Sequence, residues 1–237
     1  MVVVLHAALA FTGDELAARA EEVAAHRAKS GLGDVTPAVP HALYRKAADG
    51  GVHTDLVAVP GHKAKQALGV AVLDVPIERF WSAVNDDVSK PSYTKLSYTE
   101  ILEGELCGDR RLVFMYLPIS MLSDRYWVVE ARKNRALMDA TGGAMREMTW
   151  DSRPAAIPPD RKAATYAAGG MEIGFAKGAW WLTSLGPGHT LVEYWTWTDP
   201  GGYVPAGLAS SMAAGGIEDT IRQMGRLATE GGRCALQ

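Results

Sequence analysis

The segment 177–226 constrains this chain most. It contains GAWWLTSLGPGHTLVEYWTWTD, then PGGYVP, then a long run of small residues. Two aromatic-rich stretches flank Gly186-Pro187-Gly188 and predict antiparallel strands joined by a turn, because glycine and proline punctuate the chain there. Pro205 then opens a C-terminal helix, where a proline fits the first turn. A curved antiparallel sheet closed by one long helix leaves an apolar hollow between the two.

The rest of the chain supplies the sheet. Thr12 with Glu15 forms a capping-box pattern, and Leu16, Ala20 and Val23 follow at helical spacing, predicting a helix that ends by Gly31 or Gly33. Residues 41–60 read as an edge hairpin, with β-like runs at Leu43-Tyr44-Arg45 and 56–59 around Asp49-Gly50-Gly51. A strand at 67–75 leads through Pro76 into a helix carrying Phe80, Trp81 and Val84. Strands follow at 97–105, 110–117, 125–133 and 145–153. The Pro/Ala-rich stretch 154–170 is too long for a simple turn and suits a lid. Strands gathered between helices, without strict βαβ alternation, make the class α+β. At 237 residues one large domain is expected: an N-terminal helix and linker over 1–40, the domain over 41–229 and a tail over 230–237.

A net charge of −3 carries no electrostatic footprint for nucleic acid. Cys107 and Cys234 have no metal or redox spacing, and nothing in the sequence supports a disulfide between them. The apolar N-terminal run is too short to span a bilayer and lacks a positive flank, although Ala8-Leu9-Ala10 suits a cleavage site. A cytoplasmic protein is expected, with export as the alternative. The six histidines, His6, His26, His41, His53, His62 and His189, form no zinc motif. There is no Gly-x-Ser-x-Gly elbow and no phosphate loop. Asn85-Asp86-Asp87 read as turn formers, and Glu103 and Glu105 lack a partner. No catalytic residue and no metal site is assigned.

Three patterns occur in order. Asp74-Val75-Pro76 leads into a helix, Ser123-Asp124-Arg125-Tyr126-Trp127 opens a strand, and Asp199-Pro200-Gly201-Gly202-Tyr203-Val204-Pro205 opens the last helix. Together with the strand from Gly178 to Leu185 they resemble the START family of lipid-transfer domains, over roughly residues 43–227. The resemblance implies a helix-grip fold: a curved antiparallel sheet around a long C-terminal helix, with an internal hydrophobic tunnel. It also implies one bound lipid, no cofactor and no covalent change to the ligand. Transient membrane contact fits such a protein, and the oligomeric state is left open.

Strand parity selects the tunnel face. On 125–133, Trp127, Val129 and Ala131 go inward, because the other set carries Glu130 and Arg132. On 190–199, Glu193 turns its set outward, leaving Val192, Tyr194 and Thr196 inside, and Trp195 and Trp197 to meet the N-terminal helix. Matching to the family places Trp181, Thr183, Phe114 and Tyr116 inward as well. Leu208 and Met212 add helix positions to this expected ligand-binding set. Some sterol-binding relatives carry a buried Arg/Glu pair; the matching positions here, Phe114 and Ala131, are uncharged, which favours a more apolar ligand. Gly215-Gly216 interrupts the helix, for close packing or as a hinge. The expected function is non-catalytic binding, with transport, of one hydrophobic ligand. An enzyme of the polyketide aromatase/cyclase type is the alternative.

Overall fold

The computed structural model describes residues 11–24, 26–27, 36–120, 122–153, 156–199 and 206–236, with the backbone alone for 206–214. Helix α1 (Gly13–Ala24) starts on the expected box: the Glu15 N–H donates to Thr12 Oγ1 at 3.2 Å, and the Thr12 N–H to Glu15 Oε2 at 2.8 Å. It stops at Ala24, earlier than Gly31. The His26 N–H bonds Val23 O at 2.8 Å, and the turn delivers Arg27 to the sheet. Gly31 and Gly33 lie outside the described residues.

Residues 41–48 correct the expected hairpin. They form helix α2 (His41–Ala48), preceded by Pro40. Leu43, Tyr44 and Ala47 recur at helical spacing and bury one face, and this outweighs the strand preference of the tyrosine. Strand β1 (Val52–Val57) is the expected edge strand, begun earlier, with Ala58 and Val59 beyond its end.

The chain continues through β2 (Gln66–Leu73), α3 (Ile77–Asn85), α4 (Lys90–Tyr93), β3 (Tyr98–Glu103), β4 (Arg110–Leu117) and β5 (Arg125–Lys133). Then come α5 (Arg135–Ala140), β6 (Met145–Ser152), α6 (Lys162–Gly169), β7 (Met171–Glu172), β8 (Phe175–Ser184), β9 (Thr190–Asp199) and α7 (Ala206–Glu230). The strands pair antiparallel in the order β1-β2-β9-β8-β6-β5-β4-β3, with β7 added parallel to β5. The 154–170 stretch holds α6, whose Ala163 is buried against Phe114 and Tyr116, so its helical half is packed on the sheet.

The inner face carries α7 and α3. Ile217, Ile221 and Met224 of α7 form one core with Ala67 and Ala71 of β2, Val192 of β9 and Phe80 of α3. Gly69 makes the approach close: a Cβ there would lie 2.4 Å from Ile217 Cγ2. The outer face under α1 and α2 buries Leu68, Val70, Trp181, Trp195 and Trp197 against Leu16, Ala17 and Ala20, so Trp195 and Trp197 meet the N-terminal helix as read from parity.

Cys107 and Cys234 form a disulfide with Cα atoms 5.6 Å apart, within the usual span. The pairing arises because the tail after α7 crosses α3. Ser82 Oγ donates to Cys234 O at 2.7 Å, and the Arg233 N–H donates to Asp86 Oδ2 at 2.6 Å. Cys234 is thereby carried to the β3–β4 turn.

Candidate functional site

The pairing register fixes which side chains face α7. One row runs Ala67, Thr196, Gly178, Trp150, Ala131 and Arg111 across the sheet; the next runs Gly69, Tyr194, Trp180, Met148 and Lys133. Trp127, Val129, Ala131, Val192, Tyr194 and Thr196 therefore lie on the helix-facing side. Gly178 is required in its row, since a Cβ would meet Trp150 Cζ2 at 2.1 Å.

Four expected inward residues face the other way. Phe114 sits opposite Val128, stacks on Tyr126 with centroids 5.6 Å apart, and joins Tyr116 in the cluster under α6. The Tyr116 hydroxyl donates to Asp124 Oδ2 at 2.6 Å. Val113 and Met115 take the inward positions on β4. On β8, Trp181 lies opposite Glu193, beneath the N-terminal helices, and its Nε1–H donates to Glu147 Oε1 at 2.9 Å. Thr183 shares that outer face, and Trp180 and Leu182 point inward instead. The Leu208 and Met212 side chains lie outside the described residues.

Outward does not mean solvated here. Glu193 is fully buried and accepts from Arg27 Nη2 and from the Tyr44 hydroxyl, both at 2.7 Å. Burial first, then the neighbouring Glu193 charge, pushes the Tyr44 phenol far up, so it acts as a neutral donor. Arg132 points outward as expected, and pairs with the buried carboxylate of Glu130.

On the inner face Tyr194 is the polar group nearest the aromatic wall. Its ring stacks on Trp180, with centroids 4.0 Å apart, and tilts against Trp150 at 5.6 Å. It keeps part of its surface accessible, while Trp195 beside it is fully buried. Its hydroxyl makes no hydrogen bond to another described residue, and burial alone pushes its pKa well above the ordinary phenol value. It is a neutral donor, unsuited to act as a base. Met115, Trp127 and Trp150 are likewise half-buried around Val113 and Val129. Phe80 of α3 and Trp180, both buried, pack edge to face with centroids 5.7 Å apart.

A charged knot that the sequence did not disclose lies just past the end of α3. Asp87 is buried and accepts from Lys90 Nζ at 2.5 Å and from Arg111 Nε. Burial by itself would raise its pKa; the Lys90 and Arg111 charges and their hydrogen bonds hold it below the ordinary value. Lys133 Nζ donates to Cys107 O at 2.7 Å, and burial, with the Arg135 and Arg111 charges, brings its pKa down to about 8. Asn85-Asp86-Asp87 is thus structural: Asp86 also accepts from the Ser89 N–H at 3.1 Å. Among the described residues no group of three His, Cys, Asp or Glu side chains is arranged to hold a metal.

Neither a protein-family model nor a curated protein sequence matches this chain. Solved structures do. A STAR-related lipid transfer protein from Xanthomonas axonopodis matches with a TM-score of 0.62 at 19% identity, over 76% of this chain and 94% of that one. Human STARD10 gives 0.61 at 15% identity over 76% and 70%. Human StAR-related lipid transfer protein 5 gives 0.60 at 12% identity over 92% and 97%. Identities this low establish architecture: the chain has the α+β helix-grip fold of the START proteins, a curved antiparallel sheet closed by its C-terminal helix.

Proposed function

We propose that this protein binds one hydrophobic molecule between sheet and α7 and carries it chemically unchanged. One observation carries the reading: Tyr194, among the rings of Trp150 and Trp180 on the helix-facing side, keeps accessible surface and a hydroxyl that bonds no other described residue. Apolar walls with one or two polar groups characterise small-molecule sites. Removing about 300 Å² of apolar ligand surface from water is worth about 7 kcal/mol before the costs of association. The Tyr194 hydroxyl then orients more than it attracts. The lipid-transfer names of the similar structures favour a lipid as occupant.

Conversion of a reactive chain, as in a cyclase, calls for a group that takes up a proton, and Tyr194 is held neutral. Collection of ligand from a membrane surface fits the carrier reading, and among the described residues no helix is long and apolar enough to cross a bilayer. The Cys107–Cys234 bond favours an oxidising compartment over the cytoplasm first expected, because such bonds seldom persist where thiols are kept reduced. The test is titration with fluorescent fatty acids, sterols and phospholipids, followed by extraction and mass analysis. Saturable uptake with recovery of the intact molecule supports carriage. Recovery of a converted product contradicts it.

A further inference from the structure

The sheet has two edges, β1 and β3. α7 packs over β1, β2 and β9, toward one edge. Cys107 lies between β3 and β4, at the other. The Cys107–Cys234 bond therefore joins the tail of α7, across α3, to the far edge of the sheet. Between α7 and the 93–95 segment, Tyr93 packs its ring against the α7 core, and the polar contacts there are exposed. The Tyr93 hydroxyl donates to Glu230 Oε2 at 2.5 Å, and Lys95 pairs with Asp219 at 2.5 Å. Both pairs are solvent-accessible, where such contacts contribute little.

We infer that the Cys107–Cys234 cystine is a thiol–disulfide exchange site acting as a clasp, whose reduction loosens the seam between α7 and the β3 edge and so speeds ligand exchange. The ligand half of this inference rests on the binding function proposed above. The reductant is a dithiol. Its thiolate attacks Cys107 Sγ, on the less buried of the two cysteines, and forms a mixed disulfide there while Cys234 leaves as a thiolate and takes up a proton. The second thiol of the reductant, deprotonated, then displaces Cys107, which is protonated in turn. Two electrons pass to the cystine, and the dithiol becomes a disulfide.

The surroundings favour this second departure. Lys133 donates to the carbonyl oxygen of Cys107 itself, and Arg111 Nη1 donates to Gly108 O at 3.1 Å. Lys133 thus adjoins the turn where thiolate charge develops, while Arg111 is already paired with Asp87, and nearby positive charge stabilises a thiolate. Cys107 also holds a left-handed backbone, φ 63°, which non-glycine residues seldom adopt, so the bond is made from a residue with a constrained geometry.

The test uses the full chain in its oxidised form, reduced in place with dithiothreitol under native conditions, the gain of two hydrogens being confirmed by mass. Hydrogen exchange over residues 217–230 and 90–103 reads the clasp without any ligand; dissociation of a fluorescent long-chain fatty acid reads its consequence. The expected result is faster exchange in both segments and a dissociation rate raised about tenfold, the effect of a modest change in opening free energy. Cys107→Ser should behave as the reduced protein does. Unchanged amide exchange and an unchanged dissociation rate in demonstrably reduced protein overturn the inference, as do free thiols at both cysteines in protein made under oxidising conditions. If the fatty acid, sterol and phospholipid probes bind neither form, the binding function fails, while amide exchange still decides the clasp.

Discussion

Replacing Gly69 with alanine tests how tightly the helix is gripped. The new Cβ would lie 2.4 Å from Ile217 Cγ2 and 2.7 Å from Ile221 Cδ1. Carbon atoms prefer about 3.5–4.0 Å, so strand and helix must part by about an ångström. Ile217 Cγ2 sits on a β-branched carbon whose helical rotamer is almost fixed, so the side chain has little room to swing away. Overpacking of this kind costs about 1–3 kcal/mol. Against it, alanine in a strand gains about 0.5–1 kcal/mol over glycine. The net expectation is a loss of about 1–2 kcal/mol, and for 237 residues the melting temperature falls by about 2–8 °C. Calorimetry and urea unfolding of Gly69→Ala, Ile217→Ala and the double variant measure it. The double variant should be less damaged than the sum of the two, with a coupling of about 1 kcal/mol. A more stable Gly69→Ala protein, or strict additivity, refutes the close approach.

Tyr194→Phe should leave stability within about 0.5 kcal/mol, because its hydroxyl bonds no other described residue, while altering ligand orientation seen by Trp fluorescence. Asp87→Asn should destabilise by about 3–5 kcal/mol by leaving Arg111 buried without its counter-charge. The Asp87 contribution is present above the ordinary value of 3.8 and lost as pH falls through its lowered folded pKa, so urea titrations between pH 7 and pH 2 should show an acid loss in wild type that the variant lacks. Among the described residues no atom lies within 4 Å of where a Cβ on Gly215 or Gly216 would stand, so none of these packs closely on them. Gly215→Ala with Gly216→Ala should strengthen the helix by about 1 kcal/mol per site and slow ligand exchange; an unchanged exchange rate removes the hinge.

Most strand positions were legible because turn residues bracket aromatic and β-branched runs. Parity was legible where charge marked one face, as Glu130 and Arg132 did on β5 and Glu193 on β9. The same signal lay unused on β8, where Lys177 shares parity with Trp181 and Thr183; family matching overrode it. On β4 it would have misled, because Arg111 points inward to Asp87, a partner distant in sequence. Short α2 was missed because eight residues hold barely two turns of periodicity. The cystine was hidden for a related reason. A separation of 127 residues says nothing of distance until α7 and its tail are in place.

Native mass spectrometry of gently purified protein tests the central claim most directly. The account predicts a population carrying one apolar molecule of defined mass, lost on denaturation and identified by extraction, and displaced less readily from oxidised than from reduced protein. Protein that stays ligand-free, and that takes up no fatty acid, sterol or phospholipid when offered, contradicts a binding function for the grip.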